Sequence, residues 1–222
     1  MTHMRRSTAS FLVTASILVP VLTWTRAEAS DGGVSLIAAA TRGDLTAVTT
    51  LIGNGAGVDE KDKDGRTALM WAAMKGHTPV VRALLKEGAS TSIIDKAGFT
   101  PFMAAVLAGR DGAVRELIEA GANVNMKDAG RATMLMVASS QGYYEISRLL
   151  IEKGANVNAT DDVGRTALMF SVVNGHAPVV RLLIAHGADV NTKTTRGETA
   201  LSLAESKGDA NMVELLKHPS GN

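Results

Sequence analysis

The chain has no cysteine at all. Disulfide, thiol-redox and thiolate–metal chemistry are therefore excluded, and stability has to come from packing. Charge of one sign is lacking too, since 23 basic and 22 acidic residues give a formal +1. Binding phosphate backbones needs a concentrated positive field, so nucleic acid is not expected as a partner. There is no Gly-x-Ser-x-Gly elbow, phosphate loop or dinucleotide fingerprint, and Ser139-Ser140 falls inside a helical apolar stretch. Asp59-Glu60-Lys61-Asp62 and Asp161-Asp162 sit in turn-rich segments where acidic residues are ordinary. Of five histidines, His3 and His218 are terminal and His186 precedes a glycine helix stop, where a cation suits the dipole. No constellation for acid–base, nucleophilic or metal chemistry emerges, so no enzyme, cofactor or metal is expected.

Long apolar runs are confined to the start. His3, Arg5 and Arg6 precede a largely apolar stretch from Phe11 to Trp24, followed by Ala27-Glu28-Ala29. A basic start, a short apolar core and a small-x-small site make a secretory signal peptide over 1–29, with cleavage expected after Ala29. The apolar run spans about 14 residues, against the ~20 that a membrane-spanning helix needs, so a retained anchor is the lesser reading. Removing Arg5, Arg6, Arg26 and Glu28 leaves 20 basic and 21 acidic residues. A periplasmic or secreted protein, monomeric and free of the membrane once cleaved, is expected.

What the chain does have is repetition. Thr67, Thr100, Thr133, Thr166 and Thr199 are each 33 residues apart, and so are Gly43, Gly76, Gly109, Gly142, Gly175 and Gly208. A third series runs Gly55, Gly88, Gly121, Gly154 and Gly187. A fixed period of this size marks stacked units that bury their apolar faces only against neighbours. Each unit reads as two short antiparallel helices and a hairpin-like loop, with glycine as the left-handed stop. Pro79 and Pro178 suit second-helix starts, and Asp44 and Asp111 are candidate N-caps. The expected fold is an all-α solenoid of about six repeats, over about 32–63, 64–97, 98–129, 130–163, 164–196 and 197–218. The first and last are caps, the last with a polar outer face from Glu205, Lys207, Glu214 and Lys217.

Thr100-Pro101-Phe102-Met103-Ala104-Ala105, Gly175-His176 and Gly187-Ala188-Asp189-Val190-Asn191 resemble the ankyrin repeat, and the likeness runs from about Val34 to Lys217. Two departures stand out. Met70, Met103, Met136 and Met169 replace the usual histidine. They read as adaptable core packing, the alternative being an oxidation-sensitive seam. In Asp128-Ala129-Gly130-Arg131, the turn glycine comes one residue early, so that tip is expected to differ in shape. His77 and His176 stand where the family has a structural histidine. Three repeats separate them, on the order of 25–30 Å at the 8–10 Å spacing of packed helices, too far to share a metal.

The resemblance implies a non-enzymatic protein-binding module whose partner meets the hairpin tips and the exposed side of the first helices. The tip positions are Arg66, Phe99, Arg165 and Glu198, with Lys63 and Lys96 beside them. Met74, Lys75, Leu107, Gln141 and Asn174 are the helix positions. Arg66, Phe99 and Arg165 are expected to be exposed on loops away from the core. The expected partner is an acidic protein segment with an apolar anchor. A scaffold or accessory to another exported protein is the first reading, and a secreted effector the second.

Overall fold

A computed structural model describes residues 35–218; the expected signal peptide over 1–29, the cleavage expected after Ala29, and the tail from Pro219 lie outside the described residues. Among the described residues there are twelve helices and no strand. They form six pairs: α1 (Leu36–Arg42) with α2 (Leu45–Gly53), α3 (Ala68–Lys75) with α4 (Thr78–Lys86), and α5 (Pro101–Leu107) with α6 (Asp111–Glu119). Then come α7 (Met134–Gln141) with α8 (Tyr144–Glu152), α9 (Ala167–Val173) with α10 (Ala177–Ala185), and α11 (Ala200–Lys207) with α12 (Ala210–Lys217). First helices stack on first helices in chain order and second helices make a second layer, as the repeat period requires.

The recurring threonine starts each first helix. Its Oγ1 accepts the amide three residues on, as in Thr67 from Met70 at 3.3 Å and Thr100 from Met103 at 3.2 Å, which satisfies an otherwise orphaned donor. Ser35 does the same for α1, which lacks the threonine. Asp44 caps α2 as expected, and Asp209 caps α12. Asp111 does not cap: α6 begins at Asp111 itself, so its carboxylate sits in the first turn, where it suits the dipole. Pro79 falls at the second helical residue of α4.

First helices are enclosed by neighbours on both sides and by their own partner helix, so α3 is buried from Ala68 through Met74. Second helices bury one stripe, Val80, Val81 and Leu84 in α4. Met70, Met103, Met136 and Met169 are all buried in the stack, which makes them packing residues. In the fourth unit the Met136 sulfur also accepts the Thr133 N–H at 3.4 Å, which makes the cap of α7 reciprocal.

At Gly43 and Gly142 the glycine ending the first helix is required twice over: φ is 76° and 71°, and a Cβ on either would lie 2.6 Å from the ring of His77 or His176 in the next unit. Those rings hydrogen-bond back to the Thr41 and Ser140 carbonyls at 3.1 and 3.0 Å, so both histidines are structural.

All five described hairpins share one geometry. An acceptor side chain, Asp62, Asp95, Asp128, Asp161 or Thr194, takes the amides two and four residues on. The next position in phase is left-handed: Gly65, Gly98, Gly164 and Gly197 at φ near 80°, and Arg131 at 58°. The tip that opens unit four is therefore not reshaped, contrary to its displaced glycine; Arg131 is forced into a conformation that disfavours a Cβ. Arg131→Gly should raise the unfolding free energy by about 0.5–1 kcal/mol, the strain relief being partly offset by the flexibility of glycine in the unfolded chain. Urea denaturation would show it, and a lowered midpoint would contradict it.

Candidate partner-binding face

The hairpins and the first helices place the expected binding positions on one face, but not with the expected exposure. Arg66 is 8% exposed. Its Nε donates to Asp95 Oδ2 of the following hairpin at 3.3 Å, and its guanidinium lies 5.3 Å from the Trp71 ring centroid. Arg165 is half-buried, paired with Asp161 at 2.7 Å and set 4.6 Å over the Phe170 ring. Phe99 and Met74 are buried in apolar clusters at 9% and 8% exposure. The expectation that Arg66, Phe99 and Arg165 stand clear of the core is therefore corrected. The position before the threonine points back over its own first helix, where apolar rings and carboxylates receive it.

Glu198 is half-buried and accepts the Thr194 hydroxyl at 3.2 Å. Leu107 is half-buried, whereas Lys63, Lys75, Lys96, Gln141 and Asn174 are exposed. Asn174 also bonds the Ser140 hydroxyl at 3.2 Å across the neighbouring unit. No acidic side chain pairs with Lys75 or Lys96 among the described residues.

The face has a centre that residue types alone did not announce. Between the second and third hairpins, which open units three and four, lies an open notch of about 140 Å³ lined by Phe99, Met103, Leu107, Asp128, Met134 and Val137, together with Ala97, Ala129 and Gly130. It exists because unit four carries Ala129, Gly130 and Ala132 where unit two carries Lys63, Asp64 and Arg66, and unit three carries Ala97 where unit two carries Asp64. That run of alanine and glycine at tip positions was the available signal. A cavity on the order of 150 Å³ lined by apolar side chains holds a benzene ring, so the notch has room for one apolar side chain of a partner. Its lining holds one carboxylate, Asp128, whose Oδ1 already accepts the Gly130 and Ala132 amides, and no group of His, Asp and Glu among the described residues could hold a metal.

The chain matches the family model described as ankyrin repeats (3 copies) over residues 36–128, 108–161 and 135–222. Similar solved structures include a chain from the complex of the predatory endopeptidase Bd0816 of Bdellovibrio bacteriovorus with the immunity protein Bd3460. It is 29% identical, covers 84% of this chain and 98% of its own, and has a TM-score of 0.75. An ankyrin repeat domain from Acinetobacter baumannii AYE is 27% identical over 83% and 97% of the two chains, with a TM-score of 0.77. The human ASB11 ankyrin repeat domain is 26% identical over 84% of each, with a TM-score of 0.74. No curated protein sequence matched.

Proposed function

Since the chain belongs to the ankyrin-repeat family, a protein–protein interaction fold, we propose that it is an exported, non-enzymatic binding protein that holds another extracytoplasmic protein against its hairpin side. The observation that carries this reading is the largely apolar notch between the second and third hairpins, flanked on the side of the earlier repeats by the exposed Lys63, Lys75 and Lys96. A partner segment that is acidic and carries one bulky apolar side chain matches both features. Support for an enzyme as the partner comes from the similar chain found in an endopeptidase–immunity protein complex, so an exported peptidase is the first partner to try. Export rests on the basic start, the apolar run and Ala27-Glu28-Ala29, and N-terminal sequencing of the mature protein should find Ser30.

Affinity capture from extracytoplasmic extract with residues 30–222 tests the binding face when run beside two variants. Gly130→Val narrows the notch at a position where the next unit already carries Val163, so the backbone accepts a side chain. Lys75→Glu with Lys96→Glu reverses the flanking charge at exposed sites, where changes usually stay within about 0.5 kcal/mol of stability. Each variant should melt within a few degrees of the parent and lose at least about tenfold in affinity for the captured partner. Undiminished capture by both would move the site elsewhere.

A further inference from the structure

Four of the hairpins are stapled by an aspartate, and in three of them the second carboxylate oxygen is taken as well. Asp62 Oδ2 accepts the Trp71 Nε1–H at 2.9 Å, Asp95 Oδ2 accepts Arg66 Nε at 3.3 Å from the unit before, and Asp161 Oδ2 accepts Arg165 Nε at 2.7 Å from its own hairpin. Asp128 is the exception. Its Oδ1 takes the Gly130 and Ala132 amides at 2.9 and 2.8 Å, but among the described residues nothing donates to Oδ2.

The repeat register explains this. The positions that serve the other three aspartates recur in phase around Asp128 as Val137, Phe99 and Ala132, and none of these side chains carries a donor. The nearest cations in the chain are engaged elsewhere: Lys127 Nζ donates to the Thr160 carbonyl at 3.1 Å, and Arg131 Nε lies 3.4 Å from Asp162 Oδ1. The same residues make the space. Units two and five set Arg66 over Trp71 and Arg165 over Phe170, whereas unit four has Ala132 and Val137, and Phe99, Val137 and Asp128 line the notch. A half-buried carboxylate beside apolar walls gains more from a charged donor than one in bulk water does.

We propose that the notch takes an arginine of the partner, which supplies in trans what Arg66 and Arg165 supply within the chain. Its apolar stem lies against the walls and its guanidinium takes Asp128 Oδ2. Arginine suits the site better than lysine, because its flat head packs on rings as well as bonding carboxylates. The exposed Lys75 and Lys96 would repel a wholly basic segment, so this arginine stands among acidic residues of the partner. The proposal names the anchor of the binding reading above and rests on it.

Asp128→Asn removes the charge and replaces the unpaired acceptor while keeping an oxygen for the staple, as Thr194 does with its one hydroxyl. Its melting should stay within a few degrees of the parent. In an NMR titration of the isotope-labelled protein, N-acetylarginine amide should shift the Gly130 and Ala132 amide signals, and Asp128→Asn should weaken that binding about tenfold, the loss of a charge-assisted hydrogen bond. N-acetylnorleucine amide, which has the stem without the head, should bind the parent about tenfold more weakly than the arginine probe. Ala132→Arg supplies the missing donor from the chain itself and should close the notch to both probes; should it fold poorly, the Asp128→Asn titration decides alone. Equal binding of the two probes, or arginine binding that Asp128→Asn leaves unchanged, would overturn the proposal. With a captured partner the two proposals fail separately. Capture weakened by Gly130→Val but not by Asp128→Asn would overturn the arginine and keep the binding reading, whereas capture that neither Gly130→Val nor the lysine reversals disturb would overturn both.

Discussion

Asp95→Ala is expected to cost about 3–5 kcal/mol, among the largest losses any single polar substitution in this chain can produce. The Asp95 side chain is 1% exposed and performs two tasks. Oδ1 accepts the Ala97 and Phe99 amides at 2.9 Å each, and Oδ2 pairs with Arg66 Nε at 3.3 Å. Alanine would orphan two amides and remove a carboxylate from beside an arginine side chain that is only 9% exposed. Asp161→Ala makes the comparison: it loses the same hairpin staple, but its partner Arg165 is 29% exposed and can turn to water, so about 1–3 kcal/mol is expected. The last hairpin shows that a hydroxyl suffices for the staple, since Thr194 Oγ1 accepts the Arg196 and Glu198 amides. Asp95→Thr should therefore fall between the two. Combining it with Arg66→Leu should recover stability, because removing both members of a buried pair costs less than removing one. Urea denaturation measures all four, and an Asp95→Ala loss under about 1 kcal/mol would mean that water, or Asp64, which lies 3.4 Å from Arg66 Nη1, compensates the guanidinium.

The helices could be read from the chain because their causes are local: a threonine three residues before an amide that needs an acceptor, a glycine where φ must turn positive, and an apolar stripe between them. Exposure at the hairpin tips could not, because it depends on residues a full repeat away. Nothing near Arg66 says that Asp95 will receive it, and Arg165, at the same phase, finds its carboxylate four residues back instead. Phe99 turns inward and floors a notch because the next tip is Ala129-Gly130. Arg131 shows the converse: five hairpins stapled alike impose one backbone, and the third, which opens unit four, keeps it although its glycine is out of place. The proposed binding face keeps the hairpin side that the sequence suggests, with its centre moved from the charged tips to the notch beside Ala97 and Ala129-Gly130.

Trp71→Ala is the other large effect expected, again about 3–5 kcal/mol. Trp71 is 2% exposed and clusters with Met74 and Ala104, with Ile37 and Ala108 packed against them. Ala104 comes from the next unit and Ile37 from the one before, so the indole is packed between neighbouring repeats. The indole adds polar ties at the hairpin end, with Nε1 donating to Asp62 Oδ2 at 2.9 Å and the ring lying under the Arg66 guanidinium. Trp71→Phe keeps most of the apolar area but leaves Asp62 Oδ2 without that donor, so about 1–2 kcal/mol should go. Ala104→Leu should cost about 1–3 kcal/mol by overpacking the same space. If the volumes are complementary across the two units, Trp71→Ala with Ala104→Leu should lose less than the two single changes added together, the added isobutyl group taking up part of the cavity left by the indole. Additive losses in the double variant would show that Trp71 is held mainly by its own hairpin, through Asp62 and Arg66, and not by the alanine in the next repeat.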